Sequence, residues 1–331
     1  MSQTAVVPRT TSVKLGKSRP KFDSRTLLFG AYVTKNLPAP PSSVDYSKAV
    51  SSWPMMGNDK YGDCTCAAAG HMIEEWTANT GAEKTLTDAT VLSAYRHFAG
   101  NDADAGASML DVLKYWRKTG IGGDKILGFT QLQPRSIVQA KDSITLFGNC
   151  YIGVSLPDFA VAANTNVITT PWVVPPQGPV GDAAPNPENG HCIPAVGYDD
   201  RNLYVVTWGT LKMMSWEFYQ TYMDEAFAVL SNDWISQRLG TAPNGFNLAS
   251  LQQDLRTVDI FSASSARITI GGSGSSTGTS TSGATTSGTT TSGTSTSGSG
   301  SSGTGSSGAT STTGSTSSGS SSTTGSSTTL R

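Results

Sequence analysis

Four cysteines and three histidines are the side chains of this chain best suited to nucleophilic or acid–base chemistry. Cys64 follows Asp63, a residue type that caps helices, and opens the run Cys64-Thr-Cys-Ala-Ala-Ala-Gly-His-Met-Ile-Glu-Glu-Trp76. Ala68, Met72, Ile73 and Trp76 recur there at helical spacing, so the spacing predicts a helix with one buried face. A thiol in the first turn of a helix meets free backbone N–H groups and the positive end of the macrodipole. Both favour the thiolate, which is a nucleophile toward carbonyl carbon. A cysteine beside small residues is usually packed as a small apolar side chain, and the residue alone leaves both readings open. A thiolate nucleophile needs a base. His71 lies seven residues after Cys64, about two turns or roughly 10 Å up the helix, too far for proton transfer. His97, in Tyr95-Arg-His-Phe98, reads as a surface or capping residue. His191, in Asn189-Gly-His-Cys192, opens a strand after a long loop and is the best available base.

These residues need elements to hold them. Further helices are expected over 87–99, over 108–118, stopping at Thr119-Gly120, and over 134–147. The period then changes. Residues 150–156, 192–198 and 203–208 read as strands, the last two joined by Asp199-Asp-Arg-Asn202. A Pro/Gly/Asn-rich loop over 157–190 is longer than compact domains usually carry without a role. A short strand over 213–216, a helical turn over 217–223, a strand over 226–231 and a closing helix over 248–258 complete the pattern. The expectation is an α+β, two-lobed body: a helical lobe over 38–147, an antiparallel β lobe over 148–265, and the cleft between them.

Composition sets the limits. From Gly271 onward, every residue except Ala284, Ala309, Leu330 and Arg331 is Gly, Ser or Thr, and all 27 aromatics precede it. Such a segment has too little apolar surface to offset the entropy of ordering, so 266–331 is expected to be a disordered tail. Residues 1–37 carry a net charge of +6 and residues 38–270 one of −8. A basic, extended arm therefore precedes an acidic body through Leu37-Pro-Ala-Pro-Pro-Ser-Ser43. It is expected to lie on that body, held mainly by charge and by apolar anchors such as Leu27, Leu28 and Phe29. The acidic body argues against nucleic acid as a partner. No stretch approaches 18 consecutive apolar residues, so no membrane span is expected. Met1 to Lys14 lacks the apolar core of a Sec signal, and a cytoplasmic location follows by default. Cys64-Thr-Cys66 is too tight for a zinc knuckle, Asp199-Asp200 reads as a turn, and there is no phosphate loop; no metal or cofactor is expected. Cys150 and Cys192, each on an expected strand, read as core thiols, a cross-strand disulfide being the minority alternative.

Two blocks resemble the papain-like cysteine peptidase superfamily. Val44-Asp-Tyr46, then Trp53-Pro-Met-Met-Gly-Asn58-Asp-Lys-Tyr-Gly-Asp-Cys64, is similar to the segment leading to that family's nucleophile. Asn189-Gly-His-Cys-Ile-Pro-Ala-Val-Gly-Tyr198 with Val205-Val-Thr-Trp-Gly-Thr210 resembles its histidine strand and its Asn-Ser-Trp-Gly strand. The resemblance covers roughly 44–231 and implies a Cys64–His191 pair. It implies also that Asn58, six residues before Cys64, donates to the oxyanion. The family's orienting Asn is absent. Thr207 stands at its offset from His191, but alignment on Trp-Gly-Thr puts Val206 there instead. Cys66 lies about 200° around the helix from Cys64 and is expected to point away from the cleft. The function implied is a cysteine peptidase or related cysteine-dependent acyl hydrolase acting on peptide or protein. The alternative is an inactive papain-fold binding or structural protein tethered by its tail. The oligomeric state is left open.

Overall fold

The computed structural model describes residues 13–100, 104–161, 170–232, 234–235 and 246–257. Residues 1–12 of the basic arm, the Gly/Ser/Thr tail and position 258 of the closing helix lie outside the described residues.

Among the described residues the helices include α1 (Cys64–Asn79), α2 (Asp88–Ala99), α3 (Met109–Lys118), α4 (Ile137–Phe147), α5 (Asp158–Val161) and α6 (Trp216–Tyr222), and residues 248–257 are also helical. Side chains cap four of them: Thr87, Ser108, Ser136 and Ser215 each accept the N–H three residues on. The strands are β1 (Val44–Asp45), β2 (Ile126–Gln131), β3 (Cys150–Ser155), β4 (Gly190–Tyr198), β5 (Asn202–Thr207), β6 (Thr210–Ser215) and β7 (Met223–Ser231). They form one antiparallel sheet in the order β2-β7-β3-β4-β5-β6, with β1 added to β4. The mixed α+β class expected from the sequence is present.

The division of helices and strands along the chain is less clean than the periodicity predicts. β1 and β2 arise within 38–147 and join the sheet, β2 beside β7 and β1 beside β4. In β2, Gly128 breaks the run of large side chains; it lies where a Cβ would stand 2.4 Å from Leu255 Cδ1, so the closing helix packs directly on the strand. Two apolar cores result. One gathers α1, α2 and α3 against Phe129, Tyr151, Phe227 and Val229. The other lies among the strands, α4, α6 and the closing helix.

α1 is the central element. Every residue from Cys64 to Trp76 is buried, including His71, Glu74 and Glu75, so the helix is enclosed on all sides rather than on one face, and it packs on β4. Gly70 permits this. A Cβ there would stand 2.4 Å from Met56 Sδ, and Met56 is itself held at φ 56°. β5 and β6 are joined by Trp208-Gly209, with φ 46° and 70°, the two-residue turn that matches strand twist. Trp208 therefore stands in the turn, not in the strand. The long loop returns to this turn: Trp172 pairs with Met214 and sets its ring edge-on to Trp208 at 5.9 Å.

Candidate active site

Cys64 begins α1 and His191 is the second residue of β4, and the packing of α1 on β4 brings them to one cavity. That cavity is about 10 Å³, room for no more than one water. Asn58, His71, Val206, Thr207 and Trp208 also line it. Cys66 does not; it is wholly buried in the helical core.

The His191 ring is fixed on two sides. Nε2 lies 2.8 Å from Thr207 Oγ1, and the face stacks on Trp208 with centroids 4.5 Å apart and planes 18° apart. This places Thr207, rather than Val206, at the ring nitrogen. Nδ1 is buried without a hydrogen-bond partner. If Nε2–H donates to the hydroxyl, Nδ1 keeps its lone pair and can accept a proton. Trp208 holds a conformation rare for a bulky side chain. Its stacking on His191, its contact with Trp172 and a 3.1 Å hydrogen bond from Nε1 to the Lys14 carbonyl fix it there.

Asp63 is the residue before α1, but its side chain makes no cap. Its backbone carbonyl accepts from Cys66 and Ala67, while both carboxyl oxygens are buried without hydrogen bonds. Burial pushes that carboxyl up to about 8, so it is largely protonated at neutral pH and adds little charge beside the thiol. Asn58 donates through Nδ2 to the Tyr61 carbonyl at 3.1 Å and has a second amide hydrogen. His71 is 2.8 Å from the Pro54 carbonyl, and burial holds it down at about 4. His97 is exposed and tilts against Tyr115 at 4.6 Å. Cys150 faces Ala195 and Cys192 faces Gly153 across the β3–β4 ladder, and all four cysteines are free thiols, so the cross-strand disulfide is excluded.

What sequence reasoning missed is the path of the arm. Residues 14–18 run over the cavity, held by backbone hydrogen bonds: Lys14 N–H to Asn58 O, Lys17 N–H to Gly190 O, Ala107 N–H to Gly16 O and Ser18 N–H to Ala107 O. The approach is close enough to require glycine. A Cβ on Gly16 would stand 1.8 Å from Gly62 O, one on Gly106 2.1 Å from Gly16 O, and one on Gly190 2.1 Å from Lys17 O. Burial pushes the Cys64 thiol up to about 12, against backbone hydrogen bonds from Cys192 and Gly16. Burial likewise holds His191 down at about 3, helped by the positive charge of Lys17. With the arm seated, thiol and imidazole are both neutral.

The expected anchors are corrected in part. Phe29 is fully buried and packs on Phe246 at 5.7 Å, and Leu27 packs on the core, but Leu28 is exposed. Surface ion pairs are present, Arg19 with Glu188 and Lys21 with Asp111, but Lys17 is buried. Backbone pairing and burial, not surface charge alone, hold the arm.

No protein-family model matches the chain, and no curated protein matches it in sequence. Solved structures do. Xylellain, a cysteine protease from Xylella fastidiosa, is 17% identical with a TM-score of 0.53, over 68% of this chain and 99% of that one. Procathepsin L 3 from the larval midgut of Tenebrio molitor is 15% identical with a TM-score of 0.47, over 67% and 77%. A Carica candamarcensis cysteine protease is 16% identical with a TM-score of 0.43, over 58% and 99%. The fold of this chain is papain-like and divergent.

Proposed function

We propose that this chain is a cysteine peptidase, or a related cysteine-dependent acyl hydrolase, with Cys64 as nucleophile and His191 as its base. The observation that carries the reading is the His191 ring, held at Nε2 by Thr207 and on its face by Trp208, with Nδ1 unpartnered in the cavity it shares with Cys64. Nδ1 takes the thiol proton, and the thiolate attacks the substrate carbonyl. The Cys64 N–H at the start of α1 and the second amide hydrogen of Asn58 stabilise the oxyanion. The imidazolium then protonates the leaving amine, and water, deprotonated by His191, releases the acyl group. Thr207 orients the ring, and Trp208 shields that hydrogen bond from water.

A peptide carbonyl cannot reach Cys64 while Gly16 lies against it, so turnover requires the arm to leave. Gly16→Ala tests this in the full chain, because its Cβ collides with Gly62 O. That variant should hydrolyse fluorogenic peptides or casein, and adding Cys64→Ala should abolish the activity while Cys66→Ala should not. One observation favours the second reading, an inactive binding or structural protein: the seated arm leaves a neutral thiol and a neutral imidazole. If the displaced-arm variant neither hydrolyses peptides nor alkylates faster than an ordinary thiol, that second reading replaces the first.

A further inference from the structure

A second thiol stands at the cavity of Cys64. Cys192, the residue after His191 on β4, also lines it and belongs to the same apolar core as α1. The backbone N–H of Cys192 donates to the Cys64 sulfur. A thiol that accepts from a neighbour's own N–H lies within about one side-chain length of that neighbour's sulfur, the separation a disulfide bridges. Tyr151 holds the second sulfur in place. Its hydroxyl donates to the Thr65 carbonyl in the first turn of α1 at 2.7 Å and lies within hydrogen-bonding reach of the Cys192 thiol. The other thiols are worse placed. Cys150 belongs to the core on the opposite face of the sheet, and Cys66 lies about 200° around α1 from Cys64.

The arm covers both sulfurs. Gly16 lies against Cys64. The aliphatic stem of Lys17 lies over Gly153, the residue that pairs with Cys192 across the β3–β4 ladder; a Cβ on Gly153 would stand 2.4 Å from Lys17 Cε. Beneath the arm, burial pushes both thiols up, so both stay protonated and react slowly. One displacement uncovers the two together, beside His191, which takes the Cys64 proton.

We propose that Cys64 and Cys192 form a site of reversible oxidation, in which a hydroperoxide oxidises Cys64 and Cys192 converts the product to a disulfide. The Cys64 thiolate attacks one peroxide oxygen. The O–O bond breaks, Cys64 becomes a sulfenic acid, and the departing hydroxide takes the proton held by His191 and leaves as water. The Cys192 sulfur then attacks the sulfenic sulfur. The S–O bond breaks, and the second hydroxide takes the Cys192 thiol proton and leaves as water. Two thiols and one peroxide give one disulfide and two waters; each sulfur loses one electron and the peroxide gains two. The disulfide blocks the nucleophile, spares it further oxidation to sulfinic acid, and is reopened by a thiol reductant. The inference rests on the reading of Cys64 as the thiol activated by His191, but it is tested without peptide turnover.

The experiment treats full-chain Gly16→Ala with hydrogen peroxide at neutral pH, alkylates the remaining thiols, and maps the cysteines by mass spectrometry of an unreduced digest. Lys17→Glu, which sets a third acidic side chain against Asp224 and Glu225, serves as a second displaced-arm variant should Gly16→Ala fold poorly. A Cys64–Cys192 disulfide should form, and at least about tenfold more slowly in the native chain, where both thiols are covered. After peroxide, dithiothreitol should restore at least about tenfold more alkylatable Cys64 in the displaced-arm variant than in the same variant with Cys192→Ala, where oxidation runs on to sulfinic acid. Sulfinic acid at Cys64 with Cys192 still a free thiol, a Cys64–Cys66 bridge, or a Cys64 that peroxide leaves untouched overturns the proposal. Peptide hydrolysis is read separately on the reduced protein. A reversible Cys64–Cys192 disulfide without hydrolysis defeats the peptidase reading and leaves the oxidation site standing; hydrolysis without the disulfide does the reverse.

Discussion

Thr207 supplies one hydroxyl where an orienting carboxamide would be expected. Its single 2.8 Å contact is the side-chain hydrogen bond that holds the buried imidazole. Thr207→Val keeps the shape and removes the partner, leaving Nε2–H unsatisfied at a cost of about 1–3 kcal/mol. On the proposed function, we expect kcat/KM of the displaced-arm variant to fall by roughly 10² with KM little changed, and Thr207→Ser to recover most of the loss. Steady-state kinetics on the three proteins checks this. Asp63 gives a residue-scale prediction of stability. Its folded-state pKa, about 8, lies above the ordinary value, so the folded chain holds a proton that the unfolded chain releases near pH 4. Its stabilising contribution is complete below that ordinary value and is lost as pH rises through about 8. Glu74 and Glu225, each pushed up to about 7 by burial, act in the same direction. The histidines held low, His71 and His191, act oppositely, but only below about pH 6.5. Urea midpoints should therefore fall between pH 6.5 and 8.5, and Asp63→Asn should flatten that slope. The placement of Cys64 at the start of a helix and of His191 at the start of a strand was readable in the sequence because each depends on local pattern, whereas their pairing came only from the resemblance. The choice between Thr207 and Val206 was not readable, because it depends on where the β5–β6 turn begins.

At the scale of elements, α1 was legible from its apolar spacing and its start at Cys64, but its burial on all sides was not. Periodicity records one buried face, whereas α1 is enclosed by sheet and neighbouring helices together. Gly70 marks that enclosure: Gly70→Ala improves intrinsic helix propensity by up to about 1 kcal/mol but drives a Cβ into Met56 Sδ. Overpacking of this kind costs about 1–3 kcal/mol, so we expect net destabilisation, read as a lower urea midpoint at unchanged slope. β2 escaped notice because Gly128 interrupts it, and its place beside β7 depends on pairing nearly 100 residues away. The strand expected over 203–208 lies one residue earlier, at Asn202–Thr207, and the strand expected over 213–216 begins already at Thr210, for a related reason. A tryptophan at positive φ defies turn preference and is stabilised by His191, Trp172 and Lys14, none of them local.

Across the whole molecule, the arm and the cleft are one structure. Charge asymmetry between residues 1–37 and 38–270 indicated that the arm would lie on the body, but not that Gly16 would cover the thiol. That placement comes from glycines at 16, 62, 106 and 190 admitting backbone against backbone, which composition does not encode. Because Lys17 is buried and Leu15 and Phe29 pack on the core, raising salt should loosen the arm only slightly. Screening shortens from about 10 Å at 0.1 M to about 3 Å at 1 M, yet it acts mainly on exposed pairs such as Arg19–Glu188. Limited proteolysis of the arm should be nearly equal at the two salt concentrations and much faster in Gly16→Ala. The most direct measurement is the pH dependence of Cys64 alkylation by iodoacetamide, followed by mass spectrometry of the peptide that carries it. In the native chain, with the thiol at about 12 and His191 at about 3, alkylation should be slow at pH 6 and climb only toward alkaline pH. In Gly16→Ala it should be fast at pH 6, and adding His191→Ala should return it to the rate of an ordinary thiol. Slow alkylation at pH 6 in Gly16→Ala, or fast alkylation that persists without His191, would contradict a Cys64–His191 pair held latent beneath the arm.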